Sequence, residues 1–507
     1  MSIHSIAVIG AGTMGRGIIQ LFAQAGHPVR CYDAAEGAAQ SAIEFVRDLI
    51  DRAVSKERYS REQGDAIIAR MSASTHIEDL AGCDLAIEAV VEDLGIKREL
   101  FLALEAVLGD TAILASNTSS LMIADIAAGC RRPERVAGLH FFNPVPLMKV
   151  AEVIAAVRTA PATVAALQSV VVGAGHRAVV AEDQPGFLVN HAGRGLYTEG
   201  LRILEEQVAS VQDIDTLMRE AGGFRMGPFE LLDLTGLDVS GKVMESIYQQ
   251  FYQEPRFRPS PLVAPRLGAG LYGRKTGEGW YLYSDNLKKQ MAPTRPVPAL
   301  NHELLVWVDP AADDYERLQG LVLEVGMTLH NLPDEADILL VQFWGDDVSR
   351  YCAAQGLDPT RTVAVDPLPG LENHRTLMLS SVTRPEVRDA AWAMLAAQDT
   401  PVTVINDSCG FVVQRVLATI VNIAADIVQR GIASVADIED AVRLGLGYPQ
   451  GPLSLGDAIG GKRVMNILTR MHELSGDPRY RPSPWLARRA ALGLSLLTAE
   501  TARHDRN

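Results

Sequence analysis

Sulfur is scarce in this chain. Five cysteines are scattered over 507 residues at Cys31, Cys83, Cys130, Cys352 and Cys409. They are odd in number and contain no CxxC pair, which argues against a disulfide framework or a zinc site and predicts a reducing, cytoplasmic setting with no metal. Basic residues are also in short supply, 47 Lys and Arg against 62 Asp and Glu, for a net charge of −15. That balance argues against nucleic-acid and anionic-membrane partners, but leaves room for a small anionic molecule held by a local basic patch. No run of 18 uncharged apolar residues occurs; even Phe411 to Val428 carries Arg415 and Asp426. The opening MSIHSIAVIGAG runs directly into a strand pattern, which predicts no signal or transit peptide. What is present is ordinary globular composition, 48% hydrophobic and 21% charged. The length accommodates two to four domains with sizeable cores.

The N-terminus carries the first readable pattern. Ser5 to Ile9 is a short apolar strand that ends in Gly10-Ala11-Gly12-Thr13-Met14-Gly15. Helical periodicity follows through Ile18, Ile19, Leu21, Phe22 and Ala25 until Gly26 stops it, and Val29 to Tyr32 forms a second strand closed by Asp33. Gly10 permits a tight turn, Gly12 lets backbone approach a pyrophosphate, and Gly15 lets helix pack on strand. The helix N-terminus offers free N–H groups and a positive dipole end to the phosphates. Asp33 is placed to bond ribose hydroxyls, and Ala34, Ala35 and Glu36 provide no cation for a 2′-phosphate. The pattern predicts a Rossmann-type domain binding NAD rather than NADP.

From Ala38 to Met71 the periodicity is helical and charged, with Lys56, Glu57, Arg58 and Arg61 forming a solvated face. Strands resume at Leu85 to Val90 and Ala112 to Ala115, each ending in a polar loop: Glu92-Asp93, then Ser116-Asn117-Thr118-Ser119-Ser120. In an open parallel sheet, ligands sit beyond the carboxyl ends of the strands. Val136 to Phe141 and Met148 to Val153 read as two more strands, because Pro144 and Pro146 forbid helix between them. A reversal there sets His140 across from Glu152, a carboxylate–imidazole pair suited to general acid/base work. Ala178 to Ala181 is the last strand before the breaker Asp183-Gln184-Pro185-Gly186, and Phe187 to Gln207 reads as helix. The segment Gly273 to Trp280 is a glycine-rich turn whose Arg274 and Lys275 fit a phosphate contact or a surface turn equally well.

The chain also matches itself. PGFLVN from Pro185 corresponds to CGFVVQ from Cys409, Gly227-Pro228 with Asp233 to Gly451-Pro452 with Asp457, and PRFRPSP from Pro255 to PRYRPSP from Pro478. A nearly constant offset marks a duplicated domain. Upstream, RVAGLHFFNP from Arg135 lies weakly over RTVAVDPLPG from Arg361, putting Asp366 at the place of His140 and Gln414 at that of Asn190. No second GxGxxG occurs there, so one working site is expected, in the first copy. The predicted organisation is a Rossmann-type α/β domain over 1–183, a helical domain over 184–290, a linker and degenerate α/β remnant over 291–407, and a second, degenerate helical copy over 408–507.

These residues together resemble the L-3-hydroxyacyl-CoA dehydrogenase family. The resemblance covers the first 285 positions through GAGTMG at Gly10, SNTSS at Ser116, HFFNPVP at His140, QPGFLVN at Gln184, MGPFELLD at Met226 and KTGEGWY at Lys275. The duplicated C-terminal copy is similar to the long bacterial form associated with phenylacetate breakdown, which acts on 3-hydroxyadipyl-CoA; general short-chain 3-hydroxybutyryl-CoA metabolism is the alternative. The resemblance implies His140 as catalytic acid/base paired with Glu152. It implies Ser119 and Asn190 holding the reacting oxygen, Asn143 in the same pocket, and Lys56 as a coenzyme A contact. Gly10, Gly12, Thr13, Met14, Gly15, Asp33, Glu92, Lys97 and Asn117 are then the NAD contacts. An acyl-CoA is the expected partner, with the chain either a monomer carrying an internal pseudo-dimer or a homodimer. Two rivals are a β-hydroxyacid dehydrogenase, which usually relies on a lysine, and a non-catalytic NAD- and acyl-CoA-binding protein; the His140–Glu152 pair and the SNTSS loop count against the first, and intact His140, Glu152, Ser119 and Asn190 against the second.

Overall fold

The computed structural model describes residues 3–284, 288–293 and 295–500. They pack as two compact units, one from residues 3–191 with 430–447 and the other from the described residues of 192–429 with 448–500. This division cuts across the linear segmentation expected from sequence, because one helix of the second helical copy, Val435–Gly445, belongs to the first unit.

The first unit is built on an eight-stranded sheet in the order β3-β2-β1-β4-β5-β6-β7-β8. The strands are β1 (Ile6–Ile9), β2 (Val29–Tyr32), β3 (Met71–Ser74), β4 (Leu85–Glu88), β5 (Ile113–Ser116), β6 (Val136–Phe141), β7 (Val150–Ala155) and β8 (Arg177–Glu182). All neighbours are parallel except β6 and β7. Strands such as IAVI are apolar along their whole length because helices cover both faces of a parallel sheet, and every residue of β1, β4, β5 and β6 is buried, Glu88, Ser116 and His140 among them. Each fully buried Val, Ile, Leu or Phe contributes about 1.5–3 kcal/mol, so the sheet is the unit's main source of stability. The helix Thr13–Gln24 follows β1 and buries Ile18, Ile19 and Phe22 against one face.

Two local expectations are corrected. The stretch 38–71 is not helical to its end: after the helices Ala38–Ser55 and Arg61–Ile68 the chain enters β3, an edge strand too short and too polar (MSAS) to show alternation. The helix expected over 187–207 is broken into Val189–Ala192 and Arg194–Glu205, with Gly193 between them. The helix Val435–Gly445 packs on β7 and β8. Arg177 at the start of β8 pairs with Asp437 at 2.7 Å and Asp440 at 2.8 Å, and the Glu182 N–H donates to the Ile432 carbonyl at 2.9 Å.

The second unit contains a six-stranded sheet, β10-β9-β11-β12-β13-β14. Its strands are β9 (Leu305–Val308), β10 (Thr328–Leu329), β11 (Ile338–Val341), β12 (Thr362–Val365), β13 (Arg375–Leu379) and β14 (Val402–Ile405), again parallel except for one pair, β12 and β13. Two long helices of the same unit, Arg194–Glu205 and Val412–Arg430, come from the two sequence repeats and meet at Gly195, where a Cβ would lie 3.1 Å from the Ile420 Cα. Arg415, fully buried, pairs there with Glu199 and Glu206, both at 2.7 Å, and donates to the Tyr480 hydroxyl at 3.1 Å. Val412–Arg430 is long and apolar enough to cross a membrane, but 94% of its most apolar stretch is buried inside the fold.

Candidate active site

The end of β1 turns through Gly10 with φ +109°, and a side chain there would collide with the Ala89 carbonyl at the end of β4. Gly15 faces the Gly10 carbonyl just as tightly, so both positions are reserved for backbone. A Cβ on Gly12 would meet nothing within 4 Å. Gly12 is also the N-cap of the helix Thr13–Gln24 and makes no side-chain cap bond. The first N–H groups of that helix therefore lie beside open space, the cradle a pyrophosphate needs. Thr13 and Met14 form the first turn of the same helix. Asp33, at the end of β2, accepts from the Ala11 N–H at 2.7 Å and the Ala35 N–H at 2.8 Å. Each of its oxygens keeps a lone pair for a ribose hydroxyl. These residues fit NAD.

β4 and β5 carry the next layer. Glu88 is completely buried at the end of β4 and accepts from Lys97 Nζ at 2.5 Å, Ser116 Oγ at 2.6 Å and the Val90 N–H at 2.8 Å. Glu92 Oε1 accepts from Thr118 Oγ1 at 2.6 Å, Ser120 Oγ at 2.9 Å, and the Ser119 and Ser120 N–H groups at 3.1 and 3.2 Å. Burial alone would raise the Glu92 carboxyl, but these bonds and the charge of Lys97 outweigh it and hold it below the ordinary carboxylate value. Lys97 is 1% exposed, so it stands behind the loop between Glu88 and Glu92. The Ser119 hydroxyl has no hydrogen bond to another described residue, and its backbone N–H is fixed.

The β6–β7 hairpin supplies the acid/base pair. Cross-strand register places His140 directly opposite Glu152, and His140 Nδ1 meets Glu152 Oε2 at 2.5 Å. The other carboxylate oxygen accepts from the Leu188 N–H at 2.9 Å and the Val189 N–H at 2.7 Å. One buried carboxylate thus orients the imidazole and also anchors the segment in which Asn190 follows Val189. That segment is reached through Gly186 at φ +75° and Phe187 at φ +50°. Phe142 packs edge-on against His140, with ring centroids 4.5 Å apart. Asn117 joins the two layers: its Oδ1 accepts from the Phe141 N–H at 2.8 Å. Asn143 is exposed in the loop between β6 and β7.

Lys56 stands apart from this constellation. It is exposed at the C-cap of Ala38–Ser55, a helix that packs on Thr13–Gln24, Arg61–Ile68, β2 and β3. Arg61, in the same charge run, pairs with Asp51 at 2.7 Å on the solvated face. The Gly273–Trp280 turn is structural: Asp233 accepts from the Trp280 N–H at 2.9 Å and the Tyr281 N–H at 3.0 Å, and Lys275 pairs with Asp238. Glu88 was missed from sequence, although an acid inside the otherwise apolar LAIEAVV was a legible signal.

The 3-hydroxyacyl-CoA dehydrogenase NAD-binding family model matches residues 5–184, and the C-terminal-domain model of the same family matches twice, over 186–283 and 410–499. This chain belongs to the 3-hydroxyacyl-CoA dehydrogenase family. It is an NAD-dependent dehydrogenase. It is 35% identical to the 3-hydroxyadipyl-CoA dehydrogenase of Escherichia coli K12 over 97% of this chain and 98% of that one. The 3-hydroxybutyryl-CoA dehydrogenase of Clostridioides difficile is 38% identical over 55% of this chain and 99% of its own length. A crystal structure named as 3-hydroxybutyryl-CoA dehydrogenase from Escherichia coli K12 superposes with a TM-score of 0.86 at 34% identity, covering 97% of this chain and 99% of that one. The double match of the C-terminal model agrees with the repeat read from sequence.

Proposed function

We propose that this dehydrogenase oxidises 3-hydroxyadipyl-CoA to its 3-oxo thioester, with His140 as the general base. The observation that carries the residue roles is the 2.5 Å contact of His140 Nδ1 with Glu152. It leaves Nε2 to take the proton of the C3 hydroxyl, and the carboxylate supports the imidazolium that results. Ser119 and Asn190 hydrogen-bond the same oxygen as it becomes a carbonyl. Bound NAD supplies the hydride acceptor. In the reverse direction His140 returns the proton.

The adipyl substrate is favoured by the relative of that name, whose similarity extends through both copies. The butyryl thioester is the second reading, favoured by the name of the superposed structure and by the shorter relatives. NADH formation with the two thioesters side by side separates them. A strong preference for 3-hydroxyadipyl-CoA supports the first, equal or better use of 3-hydroxybutyryl-CoA supports the second, and silence with both returns the chain to a binding role.

The second helical copy acts as a built-in partner for the first, and the chain works as a cytoplasmic monomer. The support is a reciprocal pair of bonds: Glu182 N–H to Ile432 carbonyl, and Asn406 N–H to Val208 carbonyl, both at 2.9 Å. Each residue of one bond is the repeat counterpart of a residue in the other. Sedimentation of the full chain is expected to give a monomer, and the first 290 residues alone are expected to dimerise or precipitate. A monomeric, fully stable truncation contradicts this.

A further inference from the structure

We infer that Glu88 is a positioning residue for the substrate loop Ser116–Ser120, acting through Lys97 and Glu92; this rests on the role proposed above for Ser119. Glu88 and Glu92 between them touch the whole loop. Glu88 takes the Ser116 hydroxyl through its side chain and the Asn117 N–H through its backbone carbonyl at 2.8 Å. Glu92 takes Thr118, Ser119 and Ser120. Lys97 joins the two carboxylates, at 2.5 Å from Glu88 and 3.3 Å from Glu92. Glu88 and Lys97 are both essentially inaccessible to solvent, whereas the Glu92 side chain is 38% exposed. The buried end of the clamp is therefore fixed in β4, and its open end holds the backbone N–H of Ser119.

The charges explain why Glu88 matters at a distance. Two carboxylates share one ammonium, and the lysine sits nearer the buried one. With Glu88 neutral, Glu92 is the nearest carboxylate left to Lys97, and the two draw together. That motion withdraws Glu92 Oε1 from the Ser119 and Ser120 N–H groups and loosens the loop, a displacement small in distance but large in its effect on a reacting geometry. The net negative charge of the cluster, two carboxylates against one lysine, stays beside the crevice between β1 and β4, where the strand order reverses.

The test uses the full-length chain and two variants, Glu88→Gln and Lys97→Met. Lys97→Met removes the buried cation while keeping a side chain of similar length, so it serves where Glu88→Gln fails to fold. In each, kcat for 3-hydroxyacyl-CoA oxidation is expected to fall by about tenfold or more. Amide hydrogen exchange at Ser119 and Ser120, measured without ligands, is expected to accelerate about tenfold or more. The double variant is expected to be no worse than Lys97→Met alone, because both act through one link. Unchanged exchange at Ser119 and Ser120 overturns the inference, as do losses that multiply in the double variant. The exchange measurement needs no turnover, so it decides the clamp even if neither thioester is oxidised.

Discussion

The two sheets of this chain, one of eight strands and one of six, are each parallel but for a single antiparallel pair, and they enclose very different interiors. In the first, His140 on β6 faces Glu152 on β7 across an antiparallel pair. In the second, continuing the register of β12 and β13 by one residue sets Asp366 against Thr376, and the Asp366 N–H donates to the Thr376 carbonyl at 3.2 Å. Gln414 stands where the first copy has Asn190, and its Nε2 donates to Asp366 Oδ1 at 2.8 Å. The second site is thus filled by its own side chains. Asp366 is 1% exposed, and burial pushes its carboxyl up to about 7, against the hydrogen bonds from the Leu368 N–H and Gln414. The loop after β9 differs as well: it reads Asp309-Pro310-Ala311-Ala312-Asp313-Asp314, where β1 is followed by the glycine turn. Its carboxylates would repel a pyrophosphate. Similar backbone register does not bring the same chemistry with it, because register is set by many apolar contacts and a site by three or four side chains.

Four substitutions press on this contrast. The largest expected effect is Arg415→Met, at the counterpart of His191 in the first copy. It strips Glu199 of its buried cation and is expected to cost about 3–5 kcal/mol in chemical denaturation of the second unit. Next is His140→Gln, expected to lower turnover about a hundredfold or more while NADH binding, followed by fluorescence titration, stays nearly intact. Near-normal turnover would sink the assignment of the base. Glu152→Gln is expected to reduce kcat about tenfold or more, since it loosens both the imidazole and the Leu188–Val189 anchor.

Asp366→Asn is expected to leave kcat within about twofold, the smallest effect of the four and the sharpest statement that the second site is idle. Its stability signature has a definite sign. The folded carboxyl titrates at about 7 against an ordinary 3.8. Wild type therefore loses stability as pH rises from about 4 to about 7, where the unfolded chain has given up a proton that the folded chain still holds. The asparagine variant is expected to melt at the same temperature as wild type at pH 4 and several degrees higher at pH 8. Equal melting temperatures at both pH values would mean that Asp366 is ionised in the fold.

Much of the first unit was legible because its patterns are local. The strand–glycine turn–helix at Ile6–Gln24 is set by sterics within a few residues, and the His140–Glu152 pairing by two prolines between apolar runs. What escaped depends on distant partners. β3 exists because β2 offers it an edge, and Glu88 becomes a keystone through Lys97, nine positions away, and Ser116, twenty-eight away. The segment Arg430–Gly447, with its one helix, is tied to the first unit by Arg177, 260 residues upstream of Asp437. The sequence places Asn117 among the cofactor contacts, while the structure also shows it tying β5 to β6.

The return of that segment has a consequence for how the protein is made. β8 leaves the ribosome long before Val435–Gly445, the helix that packs on β7 and β8, has been synthesised. At about 5–20 residues per second, the apolar face under that helix waits on the order of tens of seconds for its cover. A nascent chain paused or cleaved anywhere between 183 and 430 is expected to expose that face and to be a substrate for chaperones, and stability of the NAD-binding end becomes a check that translation reached the other.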